Sequence, residues 1–448
     1  MVKVNNKNCE TYLAMKFGVT PVLALLIGLL LPVYTLADEP ASVLPNPLSL
    51  QKALELMDPT HPDIELSAAQ LQQAQAELAL SESKTGFKSY LDLIAAQARP
   101  STMDESVSDN YGRLVITKTL YDFGQSDAES NSYNALVDSR QIQFNNQQQR
   151  HQLEIMKRFF DVLLADLRYR VDDEEMTQLY LKFDKLRERS TLGMISPVVL
   201  AQAENAYREA LITRTVSDRN IQSSRLMLAI ALNKPDELPD ELTPPDLSYL
   251  TDEVPEREDL YQEALKSNPV ILAAQKEVTA AQQQLMAQRS RYRPVLSAQF
   301  ELGEYERERE SRDTARAQLL LRVPIYQGGE TRANVDRASA QLFEKKAKLR
   351  KLEQELLINI ATIVKELSIV GTKKATAEQK LNYRDLDLEQ GRALYEMEVT
   401  TNFSEKQAKL TEAHWFNAKV RYEHALLIAQ LNSLLGKPLI PTKGSNSP

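Results

Sequence analysis

Between Gln125 and Leu192 the sequence runs for 68 residues without a glycine or a proline. Those two residues are the ones that most strongly interrupt helices, so the run predicts one very long helix. About 64 helical residues extend roughly 96 Å, a rod that an ordinary globular domain does not need. Ser126, with Glu129 three residues on, offers a capping box at its start. A second long run, from about Thr331 to Glu396, is interrupted only by Gly371 and Gly391, which a supported helix tolerates. Within it Leu349, Leu352, Leu356, Ile360, Ile363, Leu367 and Val370 recur at a mean step of about 3.5, a coiled-coil seam. The composition agrees, with only 13 Gly and 11 Phe in 448 residues.

The two runs belong to a chain that reads as written twice. Placing Tyr121 of "TLYDFGQ" over Tyr326 of "VPIYQGG" brings Gly124 over Gly329. With nearly the same offset, "HPDIELSAAQLQQAQAEL" from His61 resembles "NPVILAAQKEVTAAQQQL" from Asn268, and "LNKP" at Leu232 matches "LGKP" at Leu435. The spacing points to a tandem duplication. The expected organisation is a first repeat over 50–235, a Pro-rich acidic linker over 236–256, a second repeat over 257–438 and a flexible tail over 439–448. Each repeat begins with a helix, from about 61 to 86 and from about 257 to 290, then two extended runs, the long helix and a last helix.

The extended runs carry the functional signal. Leu296, Ala298, Phe300 and Leu302 alternate with Ser297, Gln299, Glu301 and Gly303. Ala315, Ala317, Leu319, Leu321 and Val323 alternate with Arg316, Gln318, Leu320 and Arg322, and "GEYERERESRDT" between the runs reads as a charged hairpin loop. One apolar and one polar face at period two is what a barrel strand between lipid and a wet interior requires. Tyr90 to Ala98 and Arg113 to Phe123 repeat the idea less cleanly, with Lys118 out of phase. Two hairpins give four strands, whereas the smallest bacterial barrels have eight. Open strand edges cannot stand in lipid, so the strand count predicts a barrel shared between chains.

Residues 1–37 read as an export signal. Lys3, Lys7 and Lys16 precede an apolar stretch from Val19 to Val33, and Thr35-Leu36-Ala37 is a small-residue cleavage site. Its loss would remove three lysines and one glutamate from a chain of net charge -8, leaving it more acidic and arguing against nucleic acid as a partner. The single cysteine, Cys9, precedes the apolar stretch, so neither a disulfide nor a lipid anchor is expected.

Asp122-Phe123-Gly124 matches the D-F-G of protein kinases, but H-R-D, A-P-E and a Gly-rich phosphate loop are absent from the sequence. Its place at the end of an extended run reads instead as a strand-to-helix turn. Tyr121 and Gly124, and in the second repeat Pro324, Tyr326, Gly328 and Gly329, are the turn residues. The histidines His61, His151, His414 and His424 are scattered, with no pair at metal-ligand spacing on one helical face. Asp172-Asp173-Glu174-Glu175 reads as a solvated helix face. No catalytic residue, metal site or cofactor is expected.

"VPIYQGG" after the second hairpin, its echo "TLYDFGQ", the duplicated layout and "LGMISPVVLAQAENAY" at a helix-turn-helix resemble the TolC-like outer-membrane channels of efflux pumps and type I secretion. The resemblance covers essentially residues 50–438. It implies a mainly α fold: a trimer with a 12-stranded transmembrane barrel, four strands per chain, on a periplasmic cylinder of coiled-coil helices. It also implies an outer-membrane exit duct, passive itself, that works with a periplasmic adaptor (membrane fusion protein) and an inner-membrane ABC or RND-type transporter. Loops at 99–111 and 304–313 would face outside the cell. The turns with Gly193, Met194, Ile195 and Ser196, and with Glu398, Val399, Thr400 and Thr401, would form the periplasmic tip that meets the adaptor. Ser404, Glu405 and Gln407 would line the constriction, where family members often carry two aspartates that this chain lacks. The competing reading from the residues is a periplasmic coiled-coil scaffold without a pore, which leaves the extended runs unexplained.

Overall fold

The computed structural model describes residues 44–99, 105–248, 250, 256–306, 313–397 and 403–439. The expected export signal and most of the expected tail lie outside these residues. In chain order the elements are β1 (Leu48–Ser49), α1 (Leu50–Glu55), α2 (Pro62–Ser83), β2 (Lys88–Ile94), β3 (Gln97–Ala98), β4 (Val107–Ser108), β5 (Tyr111–Tyr121), α3 (Gln125–Thr191) and α4 (Pro197–Ala231). There follow β6 (Leu242–Thr243), α5 (Arg257–Ser267), α6 (Pro269–Ser290), β7 (Val295–Tyr305), β8 (Ala315–Arg322), α7 (Glu330–Glu396) and α8 (Phe403–Leu434). The order helix, strand, strand, long helix, helix occurs twice. The matched helices have equal lengths, 22 residues for α2 and α6 and 67 for α3 and α7.

The single helix expected over 257–290 is two helices. Asn268 precedes Pro269, and the proline ring pushes the residue before it out of the helical region. Asn268 accordingly has ψ 122°, ends α5 and caps α6, its Oδ1 accepting from Val270 N (2.9 Å) and Ile271 N (3.1 Å). Its Nδ2 donates to the Leu434 carbonyl at 2.9 Å, tying the break to the end of α8. Pro269 fits the first turn because its missing N–H would have no helical partner there. The acidic stretch after α4 also has more structure than a bare linker. β6 pairs in parallel with β1, and Leu242 and Leu247 are buried.

β2, β5, β7 and β8 form one antiparallel sheet in the order β2-β5-β7-β8. The first hairpin starts and ends about two residues earlier than the sequence suggests, its connection carries the short β3–β4 ladder, and β7 continues through Tyr305, shortening the second loop. Register places Leu114, Leu302 and Ala315 in one row across β5, β7 and β8, and Ile116, Phe300 and Ala317 in the next. On the opposite face Asp92 pairs with Arg113 through a 2.9 Å bond and Glu301 lies opposite Arg316 in the neighbouring row. Lys118 does lie on the apolar face, opposite Ala298, and its Nζ sits 4.2 Å from the centre of the Phe87 ring. A cation over an aromatic face near a strand end keeps its stem on apolar surface while the head reaches outward.

The helices pack through two different kinds of seam. On α3, Ala128, Ser132, Ala135 and Ser139 are buried at four- and three-residue steps. They face α6, where Ala273, Ala280 and Ala287 are buried. Ser132 Oγ donates to the Ala280 carbonyl (2.8 Å) and Ser139 Oγ to that of Ala273 (3.0 Å). Small side chains let the two backbones approach, and each hydroxyl satisfies its own polarity on the facing helix. Elsewhere the core is aliphatic and aromatic. Ile155, Met156, Phe159 and Phe160 of α3 pack with Leu228 and Leu232, and Phe160 stacks on Tyr422 of α8 at 4.6 Å. In α7 the expected seam forms: Leu356, Ile360, Ile363, Leu367 and Val370 are buried with Val420 and Leu427 of α8, and Leu349 and Leu352 pack against them. Each fully buried side chain of this size contributes about 1.5–3 kcal/mol.

Candidate functional site

The sheet and helices meet at two joints. At the first, Phe123 (φ 56°) and Gly124 (φ 85°) both adopt the left-handed region, which reverses the chain from β5 into α3. The expected Ser126–Glu129 capping box does not form. The Asp122 carboxylate caps the helix, accepting from Gln125 N (3.1 Å), Ser126 N (2.9 Å) and the Ser126 hydroxyl. Glu129 instead binds Lys84 at 2.5 Å, fastening α3 to the end of α2. An anion among the free N–H groups of a first turn is electrostatically favoured, which gives the kinase-like aspartate a structural role. Arg293 donates to the Phe123 carbonyl at 2.8 Å, and the Tyr121 and Phe123 rings lie 4.6 Å apart. At the second joint Gly328 (φ 61°) and Gly329 (φ 86°) make the turn, with a Thr331–Gln327 hydrogen bond behind them. After Pro324, Ile325 and Tyr326 stand almost fully exposed, at 96% and 86%.

At the far end of α3 the chain turns through Leu192 to Ser196. Gly193 has φ 71°, its N–H bonding to Ser190 O (2.9 Å) while Met194 N–H reaches Arg189 O (3.0 Å). These two bonds make a Schellman ending, which requires the left-handed residue. Ser196 then caps α4, accepting from Val198 N, with Pro197 in the first turn and Ile195 between the two caps. Leu192, Met194 and Val198 are all more than 60% exposed, an apolar tip that no described residue covers.

Of the second turn, Glu398, Val399, Thr400 and Thr401 lie outside the described residues. Its flanks are described. Met397 is exposed, and the Tyr395 and Phe403 rings lie 6.0 Å apart across the turn. Ser404 is half-buried, while Glu405 and Gln407 are exposed. Glu405 is bound by Lys409 on its own helix at 2.5 Å, so its charge is already matched. Between these residues stands one that sequence reasoning missed. Lys406 reaches across to α7, bonding the Asp387 carboxylate at 2.7 Å and the Asp387 carbonyl at 3.1 Å. That hydrogen bond, reinforced by Arg384, holds the Asp387 carboxyl below its ordinary value. Gly391 explains how the lysine passes, since a Cβ there would come within 2.5 Å of Lys406 Cδ. Gly391 is therefore a packing requirement, and its position 15 residues before Lys406 is the only sequence trace of it.

Sequence reasoning also missed a histidine pair. His61 and His151 pack ring against ring, centroids 4.1 Å apart, with Asp63 beside them. Among the described residues no helix is long and apolar enough to cross a membrane, which says nothing of strands.

Comparison with known proteins fits this geometry. Residues 260–437 match the family model described as outer membrane efflux protein. The match covers most of the second half of the chain. No curated protein matches the chain by sequence. The fold of the whole chain is similar to several solved outer-membrane structures. The CmeC outer membrane channel of Campylobacter jejuni aligns with a TM-score of 0.72 at 14% identity, over 89% of this chain and 88% of that one. The outer membrane protein VceC of Vibrio cholerae aligns with a TM-score of 0.68 at 16% identity, over 87% and 97%. The MtrE outer membrane channel of Neisseria gonorrhoeae, in its open state, gives 0.66 at 14% over 87% and 89%. At such identities the likeness concerns the fold, and it spans both halves, whereas the efflux-domain match begins inside α5 and ends just after α8.

Proposed function

We propose that the chain assembles head to tail into a closed trimer whose 12 strands form one outer-membrane barrel, and that this assembly is a passive exit duct. The single observation that carries the reading is a sheet with one apolar face and two open edges. Among the described residues β2 and β8 each pair on one side only, and on β8 Leu319 and Leu321 are 71% and 59% exposed. A lipid-facing sheet cannot keep such edges open.

The helices support the same step. Within the chain, β5 pairs with β7 and α3 packs on α6, so both layers join the first half to the second. Repeating that step would bring β8 and α7 of one copy against β2 and α2 of the next. The faces that would meet are bare: Ala333 and Ala340 on α7 are exposed, and on α2 Leu66 and Leu80 are 61% and 66% exposed. A head-to-tail contact that repeats by rotation makes a ring.

In this reading the two turns form the periplasmic tip. The apolar Leu192, Met194 and Val198 would receive the adaptor, which couples the duct to an inner-membrane transporter. Ser404 and Gln407 would line the narrowest part, and the Lys406–Asp387 tie would hold α8 against α7 there. Cargo would be set by the transporter, whether in multidrug efflux or type I secretion. Sedimentation of the detergent-purified chain tests the assembly: a trimer that forms conducting pores in planar bilayers is expected. A folded, stable monomer would sink the proposal.

A further inference from the structure

His61 stands at the start of α2 and His151 midway along α3, and the fold brings their rings together with the Asp63 carboxylate. One ligand atom from each of the three residues lies within 4.8 Å of the other two. His151 is only 4% exposed, and its Nε2 has no hydrogen-bond partner. The Ala231 carbonyl at the end of α4 lies beside the ring and favours a proton on it. With no partner at Nε2, that nitrogen is placed to offer a lone pair, as in imidazoles that bind a metal. A buried nitrogen with a lone pair and no donor facing it is costly unless something fills the role. His61 caps α2 through Nδ1 with a long 3.3 Å bond from Asp63 N, and the same nitrogen lies 3.9 Å from Asp63 Oδ2. Asp63 is two-thirds exposed, so its side chain is free to swing.

The second half shows that the fold does not need this pair. Asn268 occupies the place of His61 and caps α6. Leu356, buried in the α7 seam, occupies that of His151. Leu434, the counterpart of Ala231, has its carbonyl satisfied by Asn268 Nδ2. One asparagine there does both jobs that two histidines divide here, so the histidines answer some need other than capping and packing.

We propose that His61, His151 and Asp63 bind one divalent transition-metal ion of the zinc, cobalt or copper type, with solvent completing the shell. Imidazole nitrogens with one carboxylate suit these ions and not magnesium or calcium. Ligand distances of about 2.0–2.2 Å place neighbouring ligand atoms about 3.3 Å apart in a tetrahedron, and rotation of the exposed Asp63 achieves most of the closure. The bound ion would clip α2 to α3 and, through the Ala231 carbonyl, to the end of α4.

The test uses the full chain in its assembled form, stripped with chelator and titrated with Zn2+ by calorimetry and with Co2+ by visible absorption. One ion per chain is expected, with the intense Co2+ bands of a four-coordinate site and a higher unfolding temperature. The double variant His61→Asn/His151→Leu rewrites the site as the second half has it, and should fold while its affinity falls at least about 100-fold. Asp63→Asn, a change at an exposed side chain, should weaken binding about 10-fold without disturbing the fold. The exposed His414→Asn should change nothing. No stoichiometric binding by the parent, or equal affinity in Asp63→Asn and the double variant, would overturn the assignment.

Discussion

The two halves place different chemistry at matched points of the same frame. Where α7 and α8 bury Ala377 and Val420 in an apolar seam, α3 and α4 bury Asp172 and Ser217. The Ser217 hydroxyl donates to Asp172, and Arg168 Nε adds a 3.2 Å bond from one turn away. Around this centre Arg225 binds Asp166 at 3.0 Å and Arg214 binds Asp173 at 3.1 Å. Both pairs are flanked by cross-helix ion pairs, Lys373–Glu423 at 2.7 Å in the second, so the difference lies in what is buried at the centre. A buried ion needs its partners, whereas an aliphatic seam needs only volume.

The largest effect should come from putting the first half's charge into the second. Ala377→Asp meets Val420 in place of a serine, and Lys373 one turn away is already bound to Glu423, so the change should destabilise by about 3–5 kcal/mol, read from denaturant unfolding of the assembled protein. The opposite exchange, Asp172→Ala with Ser217→Val, should be neutral or stabilising by about 1–4 kcal/mol. If both exchanges cost the same, the contrast between the seams is only one of spelling.

A second test compares the two faces of the sheet. Leu319→Arg or Leu321→Arg should cost about 2–4 kcal/mol per chain and block assembly, while Gln318→Arg on the polar face assembles normally. The halves differ here too, because Lys118 in β5 already occupies the apolar face where Val323 follows β8. Val323→Lys should accordingly be tolerated. Gel migration of unheated samples separates these outcomes.

Most of what these two tests use is legible from the sequence. Long helices, strand phase and the α7 seam follow from periodicity, which is a local property. The break at Asn268 is also local, and the rule that a residue before proline leaves the helix gives it. Asp172 is different. Inside a run of four acidic residues it looks solvated, and only Ser217 on the next helix reveals that this member of the run faces inward. His61 with His151, and Asp387 with Lys406, are pairs made by packing of separate helices, so neither leaves a spacing that a single strand of text could show. The turn at Asp122 is legible as a strand-to-helix joint, but the capping box expected at Ser126 and Glu129 is not what forms, because Asp122 itself caps the helix.

The joints provide a smaller test. Asp122→Ala removes the side chain that caps α3 and should cost about 1–2 kcal/mol. No side chain caps α7, so its first turn has no comparable residue to lose. Exchange of the first-turn amides with deuterium should speed up at α3 alone.

The smallest effect is one of pH. Burial first, and His61 second, push His151 below its ordinary value near 6.5, despite the opposing pull of Asp63 and Glu154. The folded chain therefore holds a neutral imidazole where the unfolded chain takes up a proton. Stability from this group is complete above about pH 6.5 and is lost as pH falls toward the lower folded value. The second half, with Leu356 at that place, contributes no such slope. Unfolding midpoints of metal-free protein between pH 7 and 5 should fall more steeply in the parent than in His61→Asn/His151→Leu.

Equal length in α3 and α7, 67 residues each, has a consequence for how such a chain can change over time. Deleting one residue from either helix would shorten it by about 1.5 Å and turn everything beyond by about 100°. The buried stripe would then point outward on one side of the molecule and not on the other. Substitutions are absorbed singly, but length is quantised: both helices must lose or gain together, and by about seven residues at a time, to keep their stripes in phase. The distance from sheet to tip thus behaves as a ruler with coarse graduations.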